Sequence, residues 1–353
     1  MRCNLLTLAA VQALRDSVKK SLRSITASRE ASRAKGVGKM ALLLLGLLWS
    51  SSAWADTFGL GTAGPGNWGV LETGTGQVIF GGGSASSPSG ISVNPGASAN
   101  QANLGINAGS LVSSATTVIN GTYYKHTGSP SDSISGTTIV GGTVQNSTGD
   151  SKINQAVTDA TSASSNLARL PSTQTPPNLN NPSSNVTING GVGRNVINVP
   201  VISLNNGITL TLSGPASASF VVNVTGSAGM TLNSASILLS GGLTAANVIF
   251  SVTTTGANVS TSGSGVVING IVMDLNGNEN LNGATVVGEV ISGGQIVLGG
   301  GGDVEVVPTV PEPSAAAYFT LGPPSLIAVL LLQNRSSRRK RISARISHVP
   351  NKG

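Results

Sequence analysis

The chain has 353 residues, of which only 9% are charged and 3% aromatic, and its formal net charge is +7. Nine of the 20 Lys and Arg residues precede Met40 and seven follow Leu332, so residues 56–312 hold four basic residues against eleven acidic ones. A body with this net charge of −7 has no basic footprint for phosphates, which excludes nucleic acid as a partner. The single cysteine, Cys3, lies outside the body, which therefore contains no disulfide.

Residues 1–55 are predicted to be a signal peptide with a long basic lead. A basic stretch, an apolar run and a small-residue cleavage site follow in the usual order: Arg33, Lys35 and Lys39, then residues 42–48, then Ala53 and Ala55. The apolar run is shorter than the roughly 20 residues of a membrane-spanning helix. We expect signal peptidase to cut after Ala55. The true start is predicted at Met40, with a long basic n-region as the alternative.

Residues 56–306 are predicted to be an all-β domain. Short runs rich in Val, Ile and Leu alternate with Gly, Asn and Ser, the pattern of short strands joined by turns: 58–63, 68–72, 77–80, 117–121, 186–189, 208–212, 220–224, 248–252, 266–268, 286–291 and 295–298. Gly270 and Gly288 open similar runs 18 residues apart. Because a coil-like repeat of this length suits a stacked solenoid, the prediction is a right-handed β-solenoid, or β-helix. A β-sandwich is the alternative.

One segment, 151–170, breaks the β pattern and predicts a long helix packed alongside. Its apolar face recurs at helical spacing: Ile153, Val157, Ala160, Ser164, Leu167 and Leu170. Asp150 or Ser151 is the predicted N-cap, and Pro171 ends the helix. The Pro- and Asn-rich segment 172–184 that follows is interpreted as a mobile connection.

The C-terminal region contains three signals in sequence. A linker, 307–314, carries Val310, Pro311, Glu312 and Pro313; residues 315–332 form a predicted transmembrane segment; and a basic cytoplasmic tail, 333–353, contains Arg338, Arg339, Lys340 and Arg341. This order resembles the PEP-CTERM sorting signal. The resemblance implies an exosortase-type transpeptidase as partner, export through the inner membrane, transient anchoring there, and a final place at the cell surface or in the extracellular matrix. Pro323-Pro324 and the 12 residues after the basic cluster depart from the usual form, and an ordinary tail anchor is the alternative.

The order of the strands and the helix in the body also resembles that of known families. Early Gly-rich strands precede the helix, and characteristic strands follow it, at 195–199, 208–215, 220–226, 246–252, 270–273 and 287–294. The body resembles the choice-of-anchor A family of surface proteins and the ice-binding-like adhesin domain. Both resemblances imply a β-helix with a helix beside it, and neither implies an enzymatic activity.

Residues able to carry catalysis are scarce. His126 is the only histidine of the body, fewer than a hydrolytic triad or a zinc site requires. Asp274, Glu279 and Glu289 are the best candidates for paired-carboxylate glycan cleavage, but no basic residue supports them. Asp274, Asn276 and Asn278 resemble a fragment of a calcium loop and are interpreted as a solvated turn. We predict no enzymatic activity, no cofactor and no metal.

Two functions remain. The preferred one is a non-catalytic surface or matrix protein associated with exopolysaccharide, biofilm or adhesion. The alternative is an ice-binding protein, which needs a flat face of regularly placed Thr or Ser. Thr209 and Thr211, together with 253–255, offer fragments of such a face, but the sequence shows no Thr column from rung to rung.

Overall fold

The computed structural model describes residues 58–81, 89–93, 97, 101–113 and 116–307. The predicted signal peptide, the Pro-Glu-Pro motif, the apolar segment 315–332 and the basic cluster lie outside these residues. Within the described ranges, no helix has the length and apolarity that crossing a bilayer would demand.

The described chain forms 24 short strands and one long helix. Ten strands precede the helix: β1 Val70–Glu72, β2 Gln77–Gly81, β3 Ser89–Val93, β4 Leu104–Ile106, β5 Ser110–Ser113, β6 Thr117–Ile119, β7 Tyr123–Lys125, β8 Ser133–Ile134, β9 Thr137–Ile139 and β10 Thr143–Val144. Helix α1 spans Ser147–Leu167. Fourteen strands follow: β11 Val186–Asn189, β12 Gly193–Val199, β13 Ile202–Leu204, β14 Thr209–Ser213, β15 Ala218–Val224, β16 Met230–Asn233, β17 Ser236–Ser240, β18 Val248–Val252, β19 Val259–Ser262, β20 Val266–Asp274, β21 Glu279–Leu281, β22 Ala284–Ser292, β23 Ile296–Gly299 and β24 Asp303–Val306.

These strands stack into three parallel ladders, which we name faces 1, 2 and 3. Face 1 runs β11-β14-β17-β20-β22-β24-β3-β6-β9, and face 2 runs β12-β15-β18-β20-β22-β1-β4-β7-β10. Face 3 runs β13-β16-β19-β21-β23-β2-β5-β8. The long strands β20 and β22 belong to faces 1 and 2 because they bend at Gly270 and Gly288, whose φ angles are 146° and 147°. These two glycines lie opposite each other in register, as their 18-residue spacing predicts.

The stacking order differs from the chain order. β1 pairs with β22, β2 pairs with β23, and β24 pairs with β3, so the first and last strands of the described chain meet in the middle of the stack. The chain therefore winds outward from the middle through β10, returns along α1, and winds back through β11 to β24. We call the junction of β22–β24 with β1–β3 the seam.

The solenoid interior is filled by alternate residues of every face. Leu204, Leu232, Leu281 and Leu298, for example, are fully buried inward residues of face 3. Inward Val, Ile and Leu stack from rung to rung, since successive side chains of a strand point to opposite sides. The prediction of an all-β solenoid is confirmed at the level of a mostly parallel sheet with one helix, and the sandwich alternative is wrong because the described strands pair in parallel.

Helix α1 begins earlier than predicted, because Asn146 rather than Asp150 or Ser151 is its N-cap. The Asn146 side chain accepts hydrogen bonds from the N–H groups of Thr148 and Gly149. Asp150 instead accepts from Thr127, through both its N–H and its hydroxyl. The buried stripe is Gly149, Ile153, Ala156, Ala160, Ala163 and Leu167. Ile153, Ala160 and Leu167 were predicted, whereas the alanines at 156 and 163 do not stand out in a serine- and alanine-rich segment.

Two other local predictions need correction. Residues 58–63 do not open the fold as a strand, because Gly61–Ala63 form a 3-10 helix that packs on α1. The segment 172–184 is held against the first coil: Leu179 is buried, and Asn180 bridges to Ser203 in parallel. It lies along the edge of β13 and gives that end of face 3 a partner.

Candidate functional site

Face 2 is closed to solvent by helix α1. Most residues of its outward rows are apolar and pack under the helix: Val196, Val221, Ile249, Ile271, Met273, Ile291 and Leu71. Two asparagines at one end of these rows hold the helix terminus. Asn223 donates to the carbonyl of Leu167 at 2.9 Å, and Asn198 donates to that of Leu170 at 3.1 Å. Face 2 is therefore a packing surface and leaves faces 1 and 3 open.

Face 3 is an eight-stranded parallel ladder without outward charges. Its central outward row is in register across seven strands: Ser203, Thr231, Ser260, Asn280, Val297, Ile79 and Val112. The first four residues are hydrogen-bonding groups and the last three are small aliphatic groups. Neighbouring strands lie about 4.8 Å apart, and alternate residues of one strand about 6.7 Å apart, so the outward side chains form a regular grid.

The polar half of face 3 is held by hydrogen bonds between rungs. The hydroxyls of Thr231 and Ser260 lie 3.2 Å apart and share one. Along one edge, Asn258 Oδ1 accepts from the N–H of Asn278 at 2.9 Å, and Asn278 Oδ1 accepts from the N–H of Gln295 at 2.8 Å. A shallow trough of about 410 Å³ runs over these rungs. Side-chain ladders of this kind hold the grid rigid.

Face 1 differs from face 3 because it carries outward acidic side chains and an exposed leucine. Asp303 and Glu305 point outward from β24 at its centre, and Leu238 is 41% exposed. Asp303 accepts a short hydrogen bond from the hydroxyl of Ser92. Burial, with a contribution from Glu305, raises the pKa of Asp303 to about 6 despite that bond. Face 1 therefore carries titratable groups where face 3 carries none.

The threonines that suggested an ice-binding face lie on different surfaces. Thr209 and Thr211 point outward from β14 on face 1. Thr253 and Thr254 lie in the turn from face 2 to face 3, where their hydroxyls donate to the carbonyls of Val224 and Thr225. The residues that do share a face come from distant parts of the sequence, and only the strand register connects them.

The three candidate catalytic carboxyls do not form an open site. Asp274, Glu279 and Glu289 have no measurable exposure. Burial raises the pKa of Asp274 to about 7 and the pKa values of Glu279 and Glu289 well above the usual range. Glu289 lies in the outward row of face 2 next to Ile271, away from the interior pair. No cleft joins the three groups, and paired-carboxylate hydrolysis requires one.

The calcium-like turn is organised by its own backbone. Asp274 Oδ1 accepts from the N–H of Asn276 at 3.1 Å, and the side-chain Oδ1 of Asn278 accepts from the N–H of Gln295 at 2.8 Å. Within the described ranges, no three His, Cys, Asp or Glu side chains lie together as a metal site would need. His126 sits in a turn, where its Nδ1 accepts from the N–H of Gly128.

Comparison with known families identifies the domain. A family model described as ice-binding-like matches residues 86–301, more than half of the chain. The chain belongs to the ice-binding-like family. The choice-of-anchor A resemblance points to a related family. No curated protein matches the chain.

Three solved structures are similar to this chain at low identity. One is an ice-binding protein of the Antarctic ascomycete Antarctomyces psychrotrophicus, at 19% identity over 70% of this chain and 97% of that one, with a TM-score of 0.42. The second is an ice-binding protein from an Antarctic biological consortium, at 20% identity over 71% and 91%, with a TM-score of 0.45. The third is a domain of a Shewanella frigidimarina ice-binding protein, at 15% identity over 70% and 96%, with a TM-score of 0.41. The family assignment rests on the family model alone.

The preferred functional prediction is therefore wrong. The family model is ice-binding-like, and nothing in the described residues supports a role with exopolysaccharide, biofilm or adhesion. The alternative, which ranked second because no threonine column was visible, agrees with the family. An ice-binding face is expected to place Thr or Ser regularly, whereas face 3 presents mixed Ser, Thr, Asn and aliphatic residues in register.

Proposed function

We propose that this protein binds ice through face 3. The observation that carries the proposal is the uncharged outward row of face 3 in a chain of the ice-binding-like family. The regular grid of hydroxyl, amide and aliphatic groups on face 3 orders water in two ways. The polar groups anchor individual waters by hydrogen bonds, and the aliphatic groups restrict the orientations of the waters over them.

The other two faces are poorer candidates. Face 2 lies under α1, so its outward rows do not meet solvent. Face 1 carries Asp303 and Glu305, and a charged carboxylate holds its hydration shell in an arrangement that differs from the lattice of ice. Face 3 combines solvent exposure, hydrogen bonds between rungs and an absence of outward charge.

Bulky substitutions on matched positions test which face acts. Thr231→Tyr on face 3 and Thr211→Tyr on face 1 each replace a threonine by tyrosine. Both threonines are half-buried and point outward from within a strand. Val297→Tyr and Val267→Tyr form a second pair, on faces 3 and 1. We expect the face 3 variants to lose most thermal hysteresis, because a protruding ring separates the grid from the ice plane. The face 1 variants retain it, and melting temperatures change little in all four.

Two outcomes would contradict the proposal. Absence of thermal hysteresis and ice shaping in the unmodified protein would remove ice binding altogether. Loss of activity in the face 1 variants, with full activity in the face 3 variants, would move the site to face 1.

We also propose that binding involves no catalysis and that the solenoid is right-handed. The absence of a cleft around the described carboxyls supports the first. The strong preference for right-handed connections between parallel strands supports the second. Assays for reducing sugar released from glycans test the first proposal. An experimental electron-density map tests the handedness of the solenoid.

Export is part of the proposal. Residues 42–48 with Ala53 and Ala55 support signal-peptidase cleavage, and the Pro-Glu-Pro motif with the basic cluster supports processing by an exosortase-type transpeptidase after transient membrane anchoring. Intact mass of protein recovered outside the cells tests both steps. A chain from Asp56 to about Pro311 agrees with processing at both ends, and an unprocessed C-terminus found only in the inner membrane contradicts the sorting step.

A further inference from the structure

A row of inward polar side chains crosses the seam at the corner between faces 2 and 3. Asp274 of β20 lies opposite Ser292 of β22, and Ser292 lies opposite Glu72 of β1. The same row is aliphatic on the preceding rungs, where Val199, Val224 and Val252 occupy it. Apolar packing is thus interrupted by Glu72 at the seam, where strands from the two parts of the chain meet without a covalent connection, and by Asp274 one strand before it.

The carboxyls of this row have uneven hydrogen bonding. Glu72 Oε1 accepts from the N–H of Gly76 and Oε2 from the N–H of Asn107, both at 3.1 Å. Ser292 donates to the carbonyl of Gly277 at 3.3 Å. Asp274 Oδ2 and both oxygens of the neighbouring Glu279 form no well-placed hydrogen bond, although the N–H of Gly277 lies near Asp274 and the N–H of Asp274 lies near Glu279. A buried carboxylate without donors is costly, whereas the protonated acid is neutral and can donate to a neighbouring oxygen.

The charged and titratable surroundings offer no compensation. Among the described residues of the strands packed on this corner, Asp274 and Glu279 face only each other as titratable groups, and the Tyr123 hydroxyl is the further group near Glu72. Lys125 lies in the same row beyond Ile106, but it is paired with Asp132 at 2.8 Å. The row therefore holds two carboxyls, Asp274 and Glu72, with Glu279 beside it on face 3, and its one cation is already paired with Asp132.

The electrostatic consequence follows from burial. Burial raises the pKa of Glu72 to about 7, although the N–H groups of Gly76, Gly74, Asn107 and Gly109 favour its charged form. Burial likewise raises the pKa of Asp274 to about 7. The pKa of Glu279 is raised well above its usual range by burial and by the charge of Asp274. All three shifts favour the protonated acid in the folded protein.

We propose that Asp274, Glu279 and Glu72 form a protonation-dependent latch that keeps the seam closed while the carboxyls hold their protons and loosens it as they ionise. The sign follows from linkage: the folded state binds protons more tightly than the unfolded state. The stabilisation is fully present below the unfolded pKa values of about 4 and is lost as the pH rises through about 7. The latch is independent of what face 3 binds.

The test compares the full protein with a variant carrying Asp274→Asn and Glu279→Gln. Amides resemble the neutral acids in shape and cannot ionise. The melting temperature of the unmodified protein should fall by about 5 °C or more between pH 5.5 and pH 8.5. In the double variant the fall should be smaller, with the raised pKa values that burial gives Glu72, Glu289 and Asp303 accounting for what remains, and at pH 8.5 the variant should melt above the unmodified protein. Asp159→Asn on the helix is the control and should keep the original slope, because the effect of burial is outweighed by hydrogen bonds from Thr62 that hold the pKa of Asp159 low, and the group stays ionised over this range.

Hydrogen exchange locates the effect. The Val290 N–H donates to Gly69 and the Thr73 N–H to Ser292, both across the seam, whereas the Thr225 N–H donates to Val199 on a distant rung. After correction for the intrinsic pH dependence of exchange, raising the pH should lower protection at the first two amides and leave the third unchanged. The single variant Glu279→Gln provides the same comparison if the double variant does not fold. A flat melting profile in the unmodified protein, an unchanged slope in the amide variants, or equal loss of protection at all three amides would overturn the proposal.

Discussion

Faces 2 and 3 are parallel ladders of the same solenoid that point different residues outward. The outward rows of face 2 are mostly aliphatic and meet the alanine-rich stripe of α1. The outward row of face 3 mixes Ser, Thr and Asn with three small aliphatic residues and meets solvent. A ladder that is apolar on both sides must be shielded from water by another element, here α1. A ladder that is apolar only on its inner side can leave its outer side exposed to solvent. The residue type of the outward row decides which ladder packs and which binds.

The largest expected effect comes from comparing the two outward rows directly. Ile291→Ala on face 2 removes a fully buried side chain under the helix and should lower the free energy of unfolding by about 2–4 kcal/mol. Val297→Ala on face 3 removes a half-buried side chain and should cost less than about 1 kcal/mol. Denaturant unfolding of both variants measures the difference. Equal costs would mean that the helix does not distinguish the two faces.

A smaller effect is expected where face 2 holds the end of the helix. Asn223 is buried and donates to the carbonyl of Leu167 and to the side chain of Asn198. Asn223→Ala should cost about 1–3 kcal/mol, because it leaves a buried carbonyl without its donor. Asn233→Ala, at an exposed position of β16, is the control and should change stability by at most about 0.5 kcal/mol. Chemical denaturation of the two variants decides whether the asparagine row anchors α1.

The smallest effect is expected at the start of the helix. Asn146→Ala removes the side chain that accepts from Thr148 and Gly149 and should cost about 1 kcal/mol. Asn154→Ala, at an exposed helical position, should cost nothing, since alanine is the better helix former. If circular dichroism and thermal unfolding give the same result for both, Asn146 is not the cap that holds this terminus.

The sequence predicts what depends on local patterns. Short aliphatic runs bounded by Gly and Asn give the strands, the Gly270 and Gly288 spacing gives the rung repeat, and Ile153 with Ala160 and Leu167 gives the helix. It does not reveal the seam, because β1 and β22 lie far apart in the chain and their pairing depends on winding from the middle. Nor does it reveal face 3, because each strand contributes one central outward residue and only the three-dimensional register aligns them. The loop-like spacing predicts a solvated turn at Asp274, whereas the Asp274 side chain points inward because of its position in strand β20.

The most direct test of ice binding through face 3 is adsorption of the protein into slowly growing ice. The unmodified protein and Thr211→Tyr should be enriched in the ice fraction over the liquid, and the double variant Thr231→Tyr with Val297→Tyr should be excluded to the level of a non-binding protein. Equal partitioning of all three proteins, whether into the ice or out of it, would contradict the account.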